Sequence, residues 1–134
     1  MKVFLDILAV ALGGALGAST RYGVGRTALA MLKEHPLALP AATLAVNIAG
    51  CLAIGLVLPW LLAREADGAP HHLRLLVVVG ALGAFTTYST FGVETFMLWR
   101  EGRAGVALAS VALHLVVGFA AVACGVLIGE RMIA

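Results

Sequence analysis

Four long hydrophobic stretches follow one another along this chain, and short polar segments rich in Arg, Glu, His, Gly and Pro separate them. A helix that crosses the hydrocarbon core of a bilayer needs about 20 largely apolar residues. Each stretch meets that requirement, and the Gly and Pro residues between them are typical of turns. The pattern therefore predicts four transmembrane helices, over about residues 3–32, 40–63, 73–99 and 104–129.

The composition favours a membrane protein over a soluble one. Of the 134 residues, 62% are hydrophobic and only 12% are charged, whereas an average soluble domain carries about 25% charged residues. With a mean hydropathy of +1.04, too few polar residues remain to cover a soluble surface. The net charge of +2 is spread over the segment ends, so nucleic-acid binding is not indicated. We predict an all-α membrane protein in a lipid bilayer, with residues 1–134 forming a single four-helix unit.

The positive charges give little indication of orientation. Under the positive-inside rule, Lys and Arg residues are compared between the two sides of the membrane. With four spans, four Lys or Arg residues fall on each side of the membrane. Arg21 would be a fifth on the side of Arg26 if its side chain reaches the interface. The two sets are Lys2, Arg64, Arg74 and Arg131 against Arg26, Lys33, Arg100 and Arg103. We therefore predict insertion in both orientations and an antiparallel dimer, with a single weakly biased orientation as the alternative.

Two pairs of glycines occur at a spacing of four residues, Gly13 with Gly17 and Gly125 with Gly129. Small residues at this spacing let two membrane helices approach closely. The pattern is the same whether the neighbouring helix belongs to the same subunit or to another copy. The sequence leaves both possibilities open.

The second span carries polar residues near its middle. Thr43, Asn47 and Cys51 are four residues apart and share one helical face, with Gly50 beside them. Polar side chains inside a membrane are costly, so their positions often indicate function. For Asn47 two interpretations stand, a hydrogen bond between helices or a place in an ion pathway.

The third span is unusually rich in hydroxyl groups and glycine between residues 80 and 92. Glycine lowers helix propensity, and Ser and Thr hydroxyls compete for backbone partners. The stretch predicts a break in the helix, which at membrane depth survives only inside protein or beside a watery cavity. Freed carbonyls could then bind a cation, while hydroxyls could donate to an anion. A kinked but continuous helix is the alternative.

Three motifs together resemble the Fluc, or CrcB, family of fluoride channels. They are GAFTTYSTF over residues 83–91, NIAG over residues 47–50 and GGALGASTRY over residues 13–22. The match extends over nearly the whole chain. The resemblance implies an antiparallel dual-topology dimer with two fluoride pores and a structural sodium ion at the dimer centre, where the break in the third helix crosses its symmetry mate.

The resemblance also assigns roles to individual residues. It places the sodium ligands on the backbone carbonyls of Gly83 and Thr86, and oxygen ligands suit such a hard cation. It places the pore lining on Asn47, Tyr88 and Phe91, with Thr90 in the same polar track and Arg21 near the pore vestibule.

The chain departs from the family pattern at two places. Tyr88 stands where the family usually has the first phenylalanine of a pair. The fourth helix has Ser110, His114 and Gly118 where the family often has Tyr, Ser and Gly. We include Ser110 and His114 among the candidate pore residues, and His114 either lines the pathway or satisfies a helix contact.

These observations predict a non-enzymatic channel that exports cytoplasmic fluoride by passive permeation through the inner (plasma) membrane. Fluoride is the expected partner, and the dimer is expected to be a homodimer, although a homologous second subunit would also fit. The alternative is a dual-topology exporter of the small multidrug type, which depends on a glutamate embedded in its first helix. The first span has only Asp6, close to its end, and Glu94 is the one acid well inside a span. No nucleophile-base pair, metal cluster or phosphate loop is expected to assemble from these residues.

Overall fold

The computed structural model describes residues 1–33 and 35–133, which form helices joined by short turns, without strands. We number the helices α1 to α5. Helix α3 covers residues 72–85 and is continuous, although its winding changes from α (His72–Arg74) to π (Leu75–Leu82) and back to α (Gly83–Phe85). The other four are α1 (Lys2–Met31), α2 (Ala38–Ala66), α4 (Tyr88–Arg100) and α5 (Ala104–Arg131).

Four units are long and apolar enough to cross a membrane, and α3 with α4 makes up one of them, His72–Arg100. At about 1.5 Å per residue, a helix of nearly 30 residues is about 45 Å long, so each unit can pass the hydrocarbon core and reach the head groups. The prediction of an all-α membrane protein with four spans and a break in the third is confirmed. The chain is a multi-pass membrane protein.

The second span begins two residues earlier than Pro40, where the sequence suggested its start. Helix α2 starts at Ala38, and the amide of Ala41 donates to the carbonyl of Leu37. Pro40 therefore lies within the first turn, where its missing N–H has no intrahelical partner to lose.

Helices α1 and α3 approach closely through glycine. A Cβ on Gly13 would overlap the carbonyl oxygen of Leu76, and one on Gly17 would overlap the carbonyl oxygen of Ala81. Both carbonyls belong to the π-wound stretch of α3. Of the two possibilities left open by the sequence, this glycine pair serves packing within the subunit.

Helices α2 and α5 share an extensive contact, as α1 and α3 do. A Cβ on Gly125 would lie 2.5 Å from the carbonyl oxygen of Leu52, and one on Gly129 would lie 2.6 Å from that of Leu56. Gly55 contributes the facing surface on α2. The second glycine pair thus also packs inside the subunit, and many larger apolar side chains are left on the outer surface.

Candidate ion pathway

The helix break lies at Thr86 and Thr87, halfway along residues 72–100. Both residues have extended backbones, with φ −78° and ψ 158° at Thr86 and φ −152° and ψ 114° at Thr87. The Thr86 hydroxyl donates to the carbonyl of Leu82 at 3.0 Å, and the Thr87 hydroxyl oxygen accepts from the Thr90 amide at 3.2 Å. Two neighbouring threonines thus cap the end of α3 and the start of α4, which stabilises the interruption locally.

Asn47 holds the break from the neighbouring helix α2. Its Oδ1 accepts from the amide of Thr87 at 2.8 Å, and its Nδ2 donates to the Thr87 carbonyl at 3.0 Å. A single side-chain amide therefore satisfies both backbone groups of Thr87, which would be costly to leave unpaired at membrane depth. Because an asparagine amide has two N–H donors, one of them is left for another acceptor.

The same contact frees carbonyl groups at the end of α3. In a continuous helix the Thr87 amide would donate to the Gly83 carbonyl, but here it is directed to Asn47. Neither the Gly83 carbonyl nor the Thr86 carbonyl receives a hydrogen bond from the described part of the chain. The carbonyl between them, that of Ala84, accepts from Nε of Arg21 at 3.1 Å. The two carbonyls predicted as sodium ligands are thus available main-chain oxygens.

A first cavity, of about 470 Å³, lies between α1, α2 and the helix break. Thr43 donates to Oε1 of Glu94 at 3.0 Å across it. Two guanidinium groups and one carboxylate give this cavity a charged lining. Its polar and aromatic lining consists of Arg21, Tyr22, Arg26, Thr43, Thr87, Thr90 and Glu94.

A second cavity, of about 380 Å³, lies on the other side of the break and is mainly apolar. The ring centroids of Tyr88 and Phe91 are 5.7 Å apart, and those of Phe91 and His114 are 4.1 Å apart. This cavity brings together four of the residues predicted for the pore, Asn47, Tyr88, Phe91 and His114. Thr87 lines both cavities, so they meet at the break.

The two candidates on α5 lie in different surroundings. Nδ1 of His114 donates to the carbonyl of Ser110 at 2.9 Å, since a carbonyl oxygen can only accept. Nε2 is buried and has no hydrogen-bond partner among the described residues. His114 therefore both lines the second cavity and makes a contact within its own helix. Ser110 lines neither cavity and is placed here only through its carbonyl.

Residues 8–126 match the protein family described as CrcB-like protein, Camphor Resistance (CrcB). The chain belongs to the CrcB family. It is 43% identical over 127 residues, 95% of its own length and 96% of the relative's, to a Paracoccus denitrificans protein named fluoride-specific ion channel FluC. A Hyphomonas neptunium protein of the same name is 42% identical, with 95% and 97% of the two chains covered. A Symbiobacterium thermophilum protein, fluoride-specific ion channel FluC 2, is 44% identical, with 87% and 90% covered.

Sequence reasoning missed some residues that line the cavities of this CrcB protein. Thr87 had no role of its own in the predicted site, yet it borders both cavities. Glu94 was left without a role, although Thr87, Thr90 and Glu94 follow one another at spacings of three and four residues, which places them on one face of α4. Tyr22 and Arg26, four residues apart on α1, line the first cavity together with Arg21. For Glu94, the spacing of four residues from Thr90 was the signal that could have found it.

Proposed function

We propose that this CrcB-family protein is a subunit of a fluoride-selective channel, which lets fluoride leave the cytoplasm by passive permeation. The observation that carries the proposal is the meeting of two cavities at Thr87, in the middle of a membrane span, where a broken helix is held by Asn47. Relatives that cover nearly the whole chain are named fluoride-specific ion channels, which supports the same ion. Such a channel is not an enzyme, and its place is the inner (plasma) membrane.

The groups along the two cavities suit a small, strongly hydrated anion. A pore must replace the water around the ion while holding it weakly enough to let it leave. The second N–H of Asn47, the hydroxyl of Thr90 and the partly positive ring edges of Tyr88 and Phe91 are neutral donors of this kind. Arg21 would raise the anion concentration in the first cavity. We assign the pore to Asn47, Tyr88, Thr90, Phe91 and His114, with Arg21 at its vestibule. Ser110 lines neither of the two cavities described.

A second copy of the chain would complete the pathway. Tyr88 is 84% exposed in the subunit although it belongs to the aromatic lining of the second cavity. An antiparallel partner, allowed by the even distribution of positive charge, would cover this face. The available carbonyls of Gly83 and Thr86 fit a sodium ion, since hard cations prefer oxygen ligands, and two subunits would supply four of them. The ion would then hold the two interrupted helices together without taking part in fluoride passage.

The exporter alternative is not favoured by the acidic residues. Asp6 lies near the start of α1 and contacts His71, 2.8 Å away, instead of projecting into either cavity. Glu94 lines the first cavity but is hydrogen-bonded to Thr43 and belongs to the third span. Neither provides the membrane-embedded glutamate on the first helix that such exporters use.

The function is tested by ion efflux from proteoliposomes of the purified protein. We expect fluoride efflux without chloride efflux and without proton coupling. Phe91→Ala removes a ring that lines the second cavity and should strongly reduce the efflux rate. Phe96→Ala, a matched change on the outward face of the same helix, where Phe96 is 59% exposed, should leave it near the wild-type rate. Equal chloride and fluoride efflux, or none of either ion, would overturn the proposal.

Dual topology and the sodium ion are tested on the same protein. A cleavable tag at the C-terminus should be cut by external protease in one fraction of the protein and protected in a comparable fraction when sealed vesicles are prepared from cells. Replacing sodium by N-methylglucamine should lower the melting temperature of the purified dimer. A tag that is entirely cut or entirely protected contradicts dual topology, and an unchanged melting temperature contradicts the structural ion.

A further inference from the structure

Three metal-ligating side chains meet at one end of the helix bundle, apart from both cavities. Oδ1 of Asp6 lies 2.8 Å from Nε2 of His71 and 2.9 Å from Nδ1 of His72. The two imidazole rings are tilted by 39° to each other, with centroids 4.5 Å apart. One potential ligand atom from each residue falls in a group whose members all lie within 4.8 Å of one another. The cluster joins the start of α1 to the start of α3. It was not expected from the sequence, because Asp6 and His71 lie 65 positions apart along the chain.

His72 is the part of this cluster that a simple hydrogen bond does not explain. The His71 ring makes a hydrogen bond with the Asp6 carboxylate, which is sufficient to fix α1 against α3. Nδ1 of His72 is equally near the same oxygen but makes no hydrogen bond with any described residue, although the atom is buried. A ring nitrogen at 2.9 Å that makes no hydrogen bond is not directed along the line to the oxygen. A cation placed beside the line from Asp6 to His72 would accept the lone pair of His72 Nδ1.

We propose that Asp6, His71 and His72 form a binding site for a divalent transition-metal ion, of which Zn²⁺ is the expected occupant. Imidazole nitrogen with carboxylate oxygen is a ligand set that suits Zn²⁺ and its neighbours. Tetrahedral ligand bonds of about 2.0–2.1 Å place adjacent donor atoms about 3.3 Å apart. The carboxylate oxygen lies 2.8 and 2.9 Å from the two ring nitrogens, so these atoms need to move apart by only about 0.5 Å to hold the ion.

The surroundings allow such an ion to reach the site and to remain there. Asp6, His71 and His72 side chains are 28%, 29% and 35% exposed, so water can complete the coordination. Arg74, two residues after His72, is paired with Glu65 at 2.8 Å, which reduces its repulsion of a metal ion. With neutral histidines the three ligands carry one negative charge. The bound ion would link α1 to α3, the helices that approach through Gly13 and Gly17.

The test uses the full-length protein, purified in detergent with an affinity tag that contains no histidine and stripped of metal with EDTA. Isothermal titration with ZnCl₂ should show one saturable site per subunit, and Zn²⁺ should raise the melting temperature. Asp6→Asn and His72→Gln should each weaken binding at least about tenfold, since even the loss of an outer-shell partner costs that much. The matched control is His35→Gln, the same change at an exposed histidine in the α1–α2 turn, and should bind as the wild type does.

Three results would overturn the site. They are the absence of saturable Zn²⁺ binding to the wild type, binding unaffected by His72→Gln, and binding lost equally in the His35→Gln control. If a variant does not fold, Co²⁺ binding to the wild-type protein still tests the site. Visible absorption bands should appear when Co²⁺ binds and disappear when Zn²⁺ is added. The absence of those bands would likewise overturn the proposal. None of these readouts depends on fluoride transport. The metal-site proposal can therefore be contradicted while the proposed channel function holds, and the channel function can be contradicted while the metal site holds.

Discussion

Replacing Asn47 by Ala is expected to reduce fluoride efflux from proteoliposomes to the rate of protein-free liposomes. The change removes the two hydrogen bonds that hold Thr87, of 2.8 and 3.0 Å, and leaves a backbone N–H and C=O without partners inside the membrane. Each such group costs about 1–3 kcal/mol when buried. The Thr87 amide would then return to the Gly83 carbonyl, and α3 would wind on through the point where the two cavities meet.

The control for this substitution is Leu62→Ala on the same helix. Leu62 is 49% exposed and faces away from both cavities, so its loss should leave the efflux rate close to that of the wild type. Gel filtration would show whether both variants assemble normally. An Asn47→Ala protein that conducts fluoride like the wild type would contradict the role of the side-chain amide at the break.

Replacing Gly17 by Ala is expected to destabilise the protein strongly. The added Cβ would overlap the carbonyl oxygen of Ala81 and lie 2.9 Å from the amide nitrogen of Phe85. Both atoms belong to backbone, which cannot rotate away as a flexible side chain does. Helices α1 and α3 would have to separate, and overpacking of this kind costs about 1–3 kcal/mol or more. The measurement is the melting temperature in detergent, together with the fraction of protein that elutes as a defined species.

Gly14→Ala provides the matched control, because an added Cβ at Gly14 meets no atom within 4 Å. It lies on the same helix, one turn before Gly17, and undergoes the same chemical change. Its melting temperature should stay at or slightly above that of the wild type, since alanine favours the helix over glycine. Equal losses in the two variants would mean that glycine acts through the flexibility of α1 and not through its contact with α3.

The four spans and the region of the break could be predicted because each depends on local composition. Apolar length defines a span, and the density of hydroxyl groups between residues 80 and 92 is visible without any structure. The residues that fix the break could not be predicted from local composition. Asn47 reaches Thr87 across 40 positions of sequence and Arg21 reaches Ala84 across 63, so neither contact has a local signature.

Two further features could not be predicted for a different reason, which is that the sequence pattern is the same for several structures. The π winding of Leu75–Leu82 uses aliphatic residues that an α-helix accepts equally well. The pairs Gly13 with Gly17 and Gly125 with Gly129 would look identical in a subunit interface. Only the arrangement of neighbouring helices shows that both pairs approach backbone of the same chain.

The interruption between Phe85 and Tyr88 has an electrostatic consequence that does not depend on any charged side chain. Peptide dipoles add along each half-helix, so the carbonyl end of α3 carries partial negative charge and the amide end of α4 carries partial positive charge. Two residues separate these ends. Near the centre of the bilayer, the main chain therefore presents a partly negative helix end beside a partly positive one. The first attracts a cation and the second attracts an anion.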